Sequence, residues 1–235
     1  MRPRATAVVV PAHDEEALLP RALAALGAAR RHASLAGVRV LTVVAADRCR
    51  DATAALARRA GAHVLPVDYH NVGLARAAAV AYALDVLGGP AGVWVASTDA
   101  DSAVPADWLA FHTARGREGW EAVVGTVTVD AWPPAARGAA DRHQRQYYAT
   151  RPPYGPWHHP HVHGANLGVS AEAYVRAEGF PPLPLGEDHA LVAALDRLGH
   201  RVLRTSDCPV TTSGRLRPRA HGGFGDAIAA LAPRP

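Results

Sequence analysis

Four short apolar runs, each parted from the next by a helical pattern, constrain the first part of the chain most. Ala5–Val10, Val38–Ala46, His63–Val67 and Gly92–Ser97 read as strands. Pro20–His32, Asp51–Gly61 and Leu74–Leu87 read as the helices between them. Pro20 stands at an early helical position, where its missing N–H leaves no bond unmade. Gly61 closes the second helix and Gly88-Gly89 ends the third. The strands are continuously apolar rather than alternating, so both faces of their sheet must be covered, as in a parallel sheet. Right-handed crossovers then give a doubly wound, Rossmann-like half.

The remainder is less regular. Glu121–Val129 alternates like a strand, Ala135–Ala149 has a helical pattern, and Arg151–His163 is dense in Pro, His and aromatic residues. Ala165–Val169 reads as a strand and Glu187–Leu198 as a helix closed by Gly199. Arg201–Thr205 reads as a last strand, with a short helix expected near Asp226–Leu231 in an irregular tail. No linker divides the chain, and 235 residues suit one α/β domain with a single core.

Composition excludes several classes of function. No apolar stretch is long enough to cross a bilayer, and Pro11 interrupts Val8–Val10 before a secretory core could form, so a cytoplasmic protein is expected. Cys49 and Cys208 cannot make a disulfide framework. The formal charge is +4 and every basic side chain is arginine, but the arginines are scattered and no nucleic-acid-binding signature accompanies them. No nucleic-acid partner is expected, although a positive field suits an anionic ligand.

In open α/β sheets, ligands bind beyond the carboxyl ends of the strands. There the chain places Pro11-Ala12-His13-Asp14-Glu15-Glu16, Asp47-Arg48-Cys49-Arg50-Asp51 and Asp99-Ala100-Asp101. Asp51 and Glu15 could be no more than helix caps. Asp99 and Asp101 directly follow a buried strand with nothing nearby in sequence to neutralise both, which points to a hard-cation site for Mg²⁺ or Mn²⁺. Neither G-x-x-x-x-G-K-[ST] nor G-x-G-x-x-G is present, so phosphates would be held through a metal rather than a glycine loop.

The residues at these positions resemble those of family 2 glycosyltransferases of the GT-A fold, over Val8 to roughly Arg201. Val9–Glu16 resembles an opening P-A-x-N-E-E, with Asp14 in place of Asn. Asp47–Thr53 resembles D-x-S-x-D-x-T, with Cys49 in place of Ser. Asn71-Val72-Gly73 with Arg76 resembles N-x-G…A-R, Asp99-Ala100-Asp101 the D-x-D motif, Gly164-Ala165-Asn166 the G-A-N strand, and Gly186-Glu187-Asp188 the G-E-D that opens an acceptor-side helix. A lone D-x-D says little; six motifs in order say much more.

The resemblance implies a nucleotide-binding half over about 1–101, and an acceptor-binding half and tail over about 102–235. By it, Pro11, Ala12, His13, Glu15 and Asp47 would hold the nucleoside of a nucleotide diphosphate-sugar donor, with Asn71, Gly73 and Arg76 flanking it and Arg76 approaching the diphosphate. Asp99 would contact ribose or metal, Asp101 would ligate Mn²⁺ or Mg²⁺, and His221 would complete the metal site. Asp188 would be the catalytic base, with Glu187 beside it. Both acids also suit a plain helix N-terminus. Gly164, Ala165 and Asn166 would face the acceptor. The Arg151–His163 loop, from its own composition, is expected to line a polar-ligand pocket on the acceptor side, with Tyr154 or Trp157 stacking on a sugar. Arg215 is expected either to meet a phosphate or a carboxylate on donor or acceptor or to be a solvated tail arginine.

The implied reaction is transfer of a sugar, with inversion, to a hydroxyl of a small or soluble acceptor. UDP-sugars lead and GDP-mannose stays open. A sugar nucleotidyltransferase is the rival enzyme, but it would open with a glycine-rich loop bearing Arg and Lys. A non-catalytic nucleotide-sugar binder is the other rival, and it would not need Asp188.

Overall fold

The computed structural model describes residues 3–130, 132 and 137–215. The four apolar runs form β1 (Ala5–Ala12), β2 (Arg39–Asp47), β3 (His63–Val67) and β4 (Val93–Ser97). Between them lie α1 (Leu19–Arg30), α2 (Thr53–Arg59) and α3 (Val72–Leu87). There follow α4 (Trp108–Arg117), β5 (Ala122–Asp130), α5 (Arg137–Tyr147), β6 (Leu167–Ser170), α6 (Ala171–Arg176), α7 (Glu187–Arg197) and β7 (Val202–Ser213). One 7-stranded sheet runs in the order β3-β2-β1-β4-β6-β5-β7. Only β6 is antiparallel to its neighbours; the other pairings are parallel. This is the mostly parallel, helix-flanked α/β architecture expected from the sequence.

β1 shows why its sequence is continuously apolar. Ala5, Ala7 and Val9 join a core cluster with residues of α3, α6 and α7, whereas Val8, Val10 and Ala12 join a second cluster with α1, α2 and α4. Both faces of the strand are therefore dry. The helix ends follow local chemistry. The Asn71 side chain accepts the Leu74 N–H at 3.0 Å to open α3, and Gly88 closes α3 at φ 78°, a conformation that suits a residue without Cβ.

Three elements extend beyond the expectation. The buried face of α4 is Trp108, Leu109, His112, Thr113 and Gly116, so its helical period is not written in apolar residues. α6 begins directly after β6, with Ser170 Oγ capping the Ala173 N–H at 3.2 Å and no loop to announce it. β7 continues past Thr205 to Ser213, burying Thr205, Cys208, Val210 and Thr212 in place of an aliphatic series.

The length of β7 matters for the site. Its second part pairs with Val127–Asp130 beyond an irregularity between Gly125 and Val127. Ala103, just after the D-x-D segment, exchanges backbone hydrogen bonds of 2.7 and 3.0 Å with Thr211. This bridge holds the end of β7, and the Arg215 that follows, against Asp101. The helix expected near Asp226–Leu231 lies outside the described residues.

Candidate active site

Arg76 organises the acidic cleft. Its guanidinium is buried at 4% exposure and is shared among four partners. Nε donates to Glu187 Oε1 at 2.9 Å, Nη1 to the Gly164 carbonyl at 3.0 Å and to Ser97 Oγ, and Nη2 to Asp99 Oδ1. Burial works against the guanidinium charge, but Asp99, Glu187 and Asp188 outweigh it and raise its pKa. Burial and Asp188 push Glu187 upward against the pull of Arg76. The 2.9 Å contact is that of an ionised carboxylate facing a guanidinium. Arg76 was expected to approach a diphosphate; its contacts are instead with protein, because a buried cation needs buried anions.

Gly164 is required by the same cluster. A Cβ at this position would lie 2.5 Å from Arg76 Nη2 and 2.6 Å from Cζ. Asn71 and Gly73 likewise serve packing rather than reaching into an open cleft. Asn71 Nδ2 donates to the Pro182 carbonyl at 3.2 Å, Gly73 N–H donates to Leu183 O at 3.2 Å, and the Pro181 and Leu183 carbonyls leave no room for a side chain at Gly73. Together they tie α3 to the segment that leads into α7.

A second cation serves the remaining acids. Arg215 makes a bidentate pair with Glu15, at 2.8 Å from Nη1 and 2.6 Å from Nη2. The same Nη2 is 3.1 Å from Asp101 Oδ2. Ser102 Oγ and Thr212 Oγ1 lie 3.2 and 3.4 Å from Asp101 Oδ1. Burial and the charge of Asp99 raise the Asp101 pKa to about 6, with Arg215 opposing them and Glu15 adding to them. The sequence showed no neighbour able to neutralise both D-x-D carboxylates. The fold supplies one arginine for each.

At the ends of β1 and β2 the expected nucleoside residues are knitted to backbone. Asp47, 5% exposed, accepts the N–H groups of Tyr69 (2.8 Å), His70 (3.0 Å) and Asn71 (3.0 Å). His13 Nδ1 donates to the Asp47 carbonyl at 2.7 Å and its ring meets His70 edge-on at 5.5 Å. Pro11 and Ala12 close β1, and the Ala12 carbonyl accepts the Cys49 thiol at 3.3 Å. Asp14, Cys49 and Asp51 have ligand atoms within 4.8 Å of one another. Their carboxylates already accept the backbone N–H groups of Arg50, Glu16 and Thr53, however, and burial raises the Cys49 thiol pKa.

Across Arg76 from the D-x-D acids, Asp188 is held at the N-terminus of α7. Its Oδ2 accepts the Gly164 N–H at 2.7 Å and its Oδ1 the His189 N–H at 2.8 Å. Asn166 and Trp157 depart from expectation. Asn166 is 1% exposed, accepts from Trp108 Nε1 at 2.8 Å and donates to the Thr126 and Cys208 carbonyls at 2.8 and 2.9 Å. It joins β5, β7 and α4 and is closed to an acceptor. Trp157 is buried against Tyr147, Tyr148, His159 and His161, so no sugar can stack on it, and Ala165 lies in the same small core. His221 lies outside the described residues.

Residues 7–176 match the family model of glycosyl transferase family 2. The chain belongs to glycosyltransferase family 2. No curated protein matches it. Among solved structures, this family 2 chain resembles the mannosyltransferase PcManGT from Pyrobaculum calidifontis in complex with GDP-Man and Mn²⁺ (TM-score 0.65, 23% identity, covering 93% of this chain and 59% of that one). It also resembles S. aureus TarS in complex with UDP-GlcNAc (TM-score 0.63, 15% identity, 93% and 61% covered). A third is glucosyl-3-phosphoglycerate synthase from Mycobacterium tuberculosis in complex with phosphoglyceric acid (TM-score 0.58, 20% identity, 97% and 78% covered). The chain thus spans about three fifths of the length of the first two, and at these identities the likeness speaks for the GT-A fold.

Several residues of the site in this family 2 chain carry no motif in the sequence. Ser97, Ser102 and Thr212 carry the D-x-D region, and Tyr147 accepts the Val127 N–H at 3.0 Å and meets His163 Nε2 at 2.9 Å. Ser97 was detectable as the polar end of an apolar strand; Thr212 carried no signal. Among the described residues, no helix is long and apolar enough to cross a membrane.

Proposed function

We propose that the chain is an inverting, metal-dependent glycosyltransferase of the cytoplasm. It moves a sugar from a nucleotide diphosphate donor, UDP-sugar before GDP-mannose, to a hydroxyl of a small or soluble acceptor. One observation carries the reading: Arg76 joins the first D-x-D acid to the N-terminus of α7, so the donor-side acids and Asp188 share one wall. The solved relatives support the donor class, since their complexes contain GDP-Man with Mn²⁺, UDP-GlcNAc, and UDP-Glc with Mn²⁺ and phosphoglyceric acid.

The site fits a hard divalent ion. Its donors are carboxylate oxygens, and a cationic nitrogen is already seated between Glu15 and Asp101. Asp101 and Asp99 are the residues that would hold the ion, with His221 in reserve. When bound, the ion supplies positive charge against the charge that develops on the departing nucleoside diphosphate.

The protein's own groups do the rest. Two backbone N–H groups orient the Asp188 carboxylate, and each oxygen keeps a lone pair for another partner. The acceptor oxygen attacks the anomeric carbon while the bond to the diphosphate breaks, and its proton passes to Asp188. A single displacement of this kind inverts the anomeric centre. The leaving group needs no proton, so no second carboxylic acid is required, in contrast to glycoside hydrolysis.

Calorimetric titration of UDP and GDP with and without Mn²⁺ tests the donor half. Metal-dependent binding of one nucleotide, lost in Asp101→Ala, is expected. Turnover tests the other half: Asp188→Asn should keep nucleotide binding while lowering kcat by about 10²–10⁴-fold, the range of general-base catalysis. Nucleotide binding with no turnover toward any acceptor would leave a binding protein instead.

A further inference from the structure

Glu15 and Asp101 leave the ends of two neighbouring parallel strands with side chains 6% and 15% exposed, and Asp99 adds a third carboxylate to the same cleft. Charges so removed from water require a counter-charge. Arg215 provides it from the far end of the chain, 200 residues from Glu15, through the bridge that fastens β7 to the D-x-D loop. Its Nη2 contacts one oxygen of each carboxylate, at 2.6 and 3.1 Å, so a single positive charge serves both. The arginine differs from Arg76 in being one-quarter exposed, so its guanidinium can reach water when displaced.

We propose that Arg215 holds the place of the cation: a divalent ion and the Arg215 guanidinium compete for the Glu15–Asp101 carboxylate pair, and Glu15 belongs to the cation site. This rests on the metal-dependent reading given above. Two consequences follow from charge alone. Without nucleotide, an incoming ion must expel an arginine, so Mn²⁺ binds weakly. With a diphosphate present, the expelled guanidinium has an anion to meet, and a planar fork of N–H donors suits phosphate oxygens. Metal and nucleotide therefore strengthen each other's binding, and part of that coupling runs through Arg215.

The test is an electron paramagnetic resonance titration of free Mn²⁺, alone and with UDP or GDP. The proteins are wild type, Arg215→Gln, Arg215→Lys and Asp101→Asn, with thermal melts to confirm folding. Arg215→Gln should bind Mn²⁺ alone at least about tenfold more tightly than wild type, and the extra tightening caused by nucleotide should shrink by a similar factor. Arg215→Lys, which keeps the charge without the fork, should fall between them and serves if the Gln variant melts early. Unchanged or weaker Mn²⁺ binding in a folded Arg215→Gln protein overturns the exchange. So does wild-type nucleotide binding that needs Arg215 and ignores Mn²⁺, because the arginine would then be a permanent substitute for the ion. If Asp101→Asn leaves Mn²⁺ binding intact, the metal assignment of the D-x-D acids fails instead, whatever Arg215 does.

Discussion

Replacing Arg76 with alanine would test whether the buried guanidinium holds the two sides of the cleft together. The side chain is 4% exposed and its removal leaves Glu187, itself 4% exposed, without the cation at 2.9 Å. Asp99 loses its partner as well, and the Ser97 hydroxyl and Gly164 carbonyl each lose a donor. Breaking a buried ion pair by removing one member costs about 3–5 kcal/mol, because the other charge stays behind. For a chain of this size that corresponds to a fall in melting temperature of roughly 6–20 °C. The loss should also depend on pH. Without Arg76 the folded-state pKa of Glu187 rises further above its unfolded value, so the variant loses stability as pH climbs from the unfolded value through the new folded one. The gap to wild type should therefore be narrower at pH 5 than at pH 8 in urea titrations. A gap below about 1 kcal/mol, or one that ignores pH, would refute the reasoning and return Arg76 to the role of a dispensable phosphate contact.

Asn166→Ala should destabilise the protein by about 3 kcal/mol or more, since Trp108 Nε1 and the Thr126 and Cys208 carbonyls would be buried unpaired. Any folded fraction should bind nucleotide as wild type does, and calorimetry at low temperature would check this. Acid should unfold the chain partly through His112, whose pKa burial lowers to about 4. Between pH 6.5 and about 4 the unfolded chain takes up a proton that the folded one refuses, so stability falls with pH by up to about 3 kcal/mol from this residue. His112→Leu should flatten that limb of the stability–pH curve measured by urea titration, and an unchanged limb would count against it.

The sequence was most legible where burial is two-sided and aliphatic. β1, β2 and β4 are buried on both faces, so their composition alone announces a parallel sheet. α4 and the second half of β7 escaped notice because His112, Thr113 and Gly116 interrupt the apolar face that Trp108 and Leu109 begin, and Thr212 interrupts that of Cys208 and Val210. Within the site, the acids were legible because strand ends mark the crevice. Their partners were not: Arg76 stands 23 residues from Asp99 and Arg215 stands 200 from Glu15, and only the fold brings each pair together. Motif resemblance also blurred two kinds of residue. Asn71, Gly73 and Asn166 sit in family motifs, yet here they serve close packing and backbone hydrogen bonds.

The two arginines of the cleft carry the same charge and face neighbouring acids, but they differ in how easily a ligand can move them. Arg76 is pinned by groups from β4, the segment after it, the turn at Gly164 and α7, and extracting it would leave two carboxylates unpaired, one of them buried. At about 3–5 kcal/mol for breaking a buried pair, a ligand would need roughly a hundred-fold to several thousand-fold preference for the rearranged state, about tenfold for each 1.4 kcal/mol. The Arg215 guanidinium pairs with Glu15 and Asp101, and it stands one-quarter exposed just beyond a strand end. Because Arg215 is partly in water, moving it costs less than moving Arg76, provided that another cation takes its place beside the buried Glu15 and Asp101. Whatever enters the cleft should therefore leave the Asp99–Arg76–Glu187 wall standing and rearrange the Glu15–Asp101–Arg215 side. That wall would then be rigid before any ligand arrives, and the response to a cation and an anionic ligand would be confined to the Arg215 side.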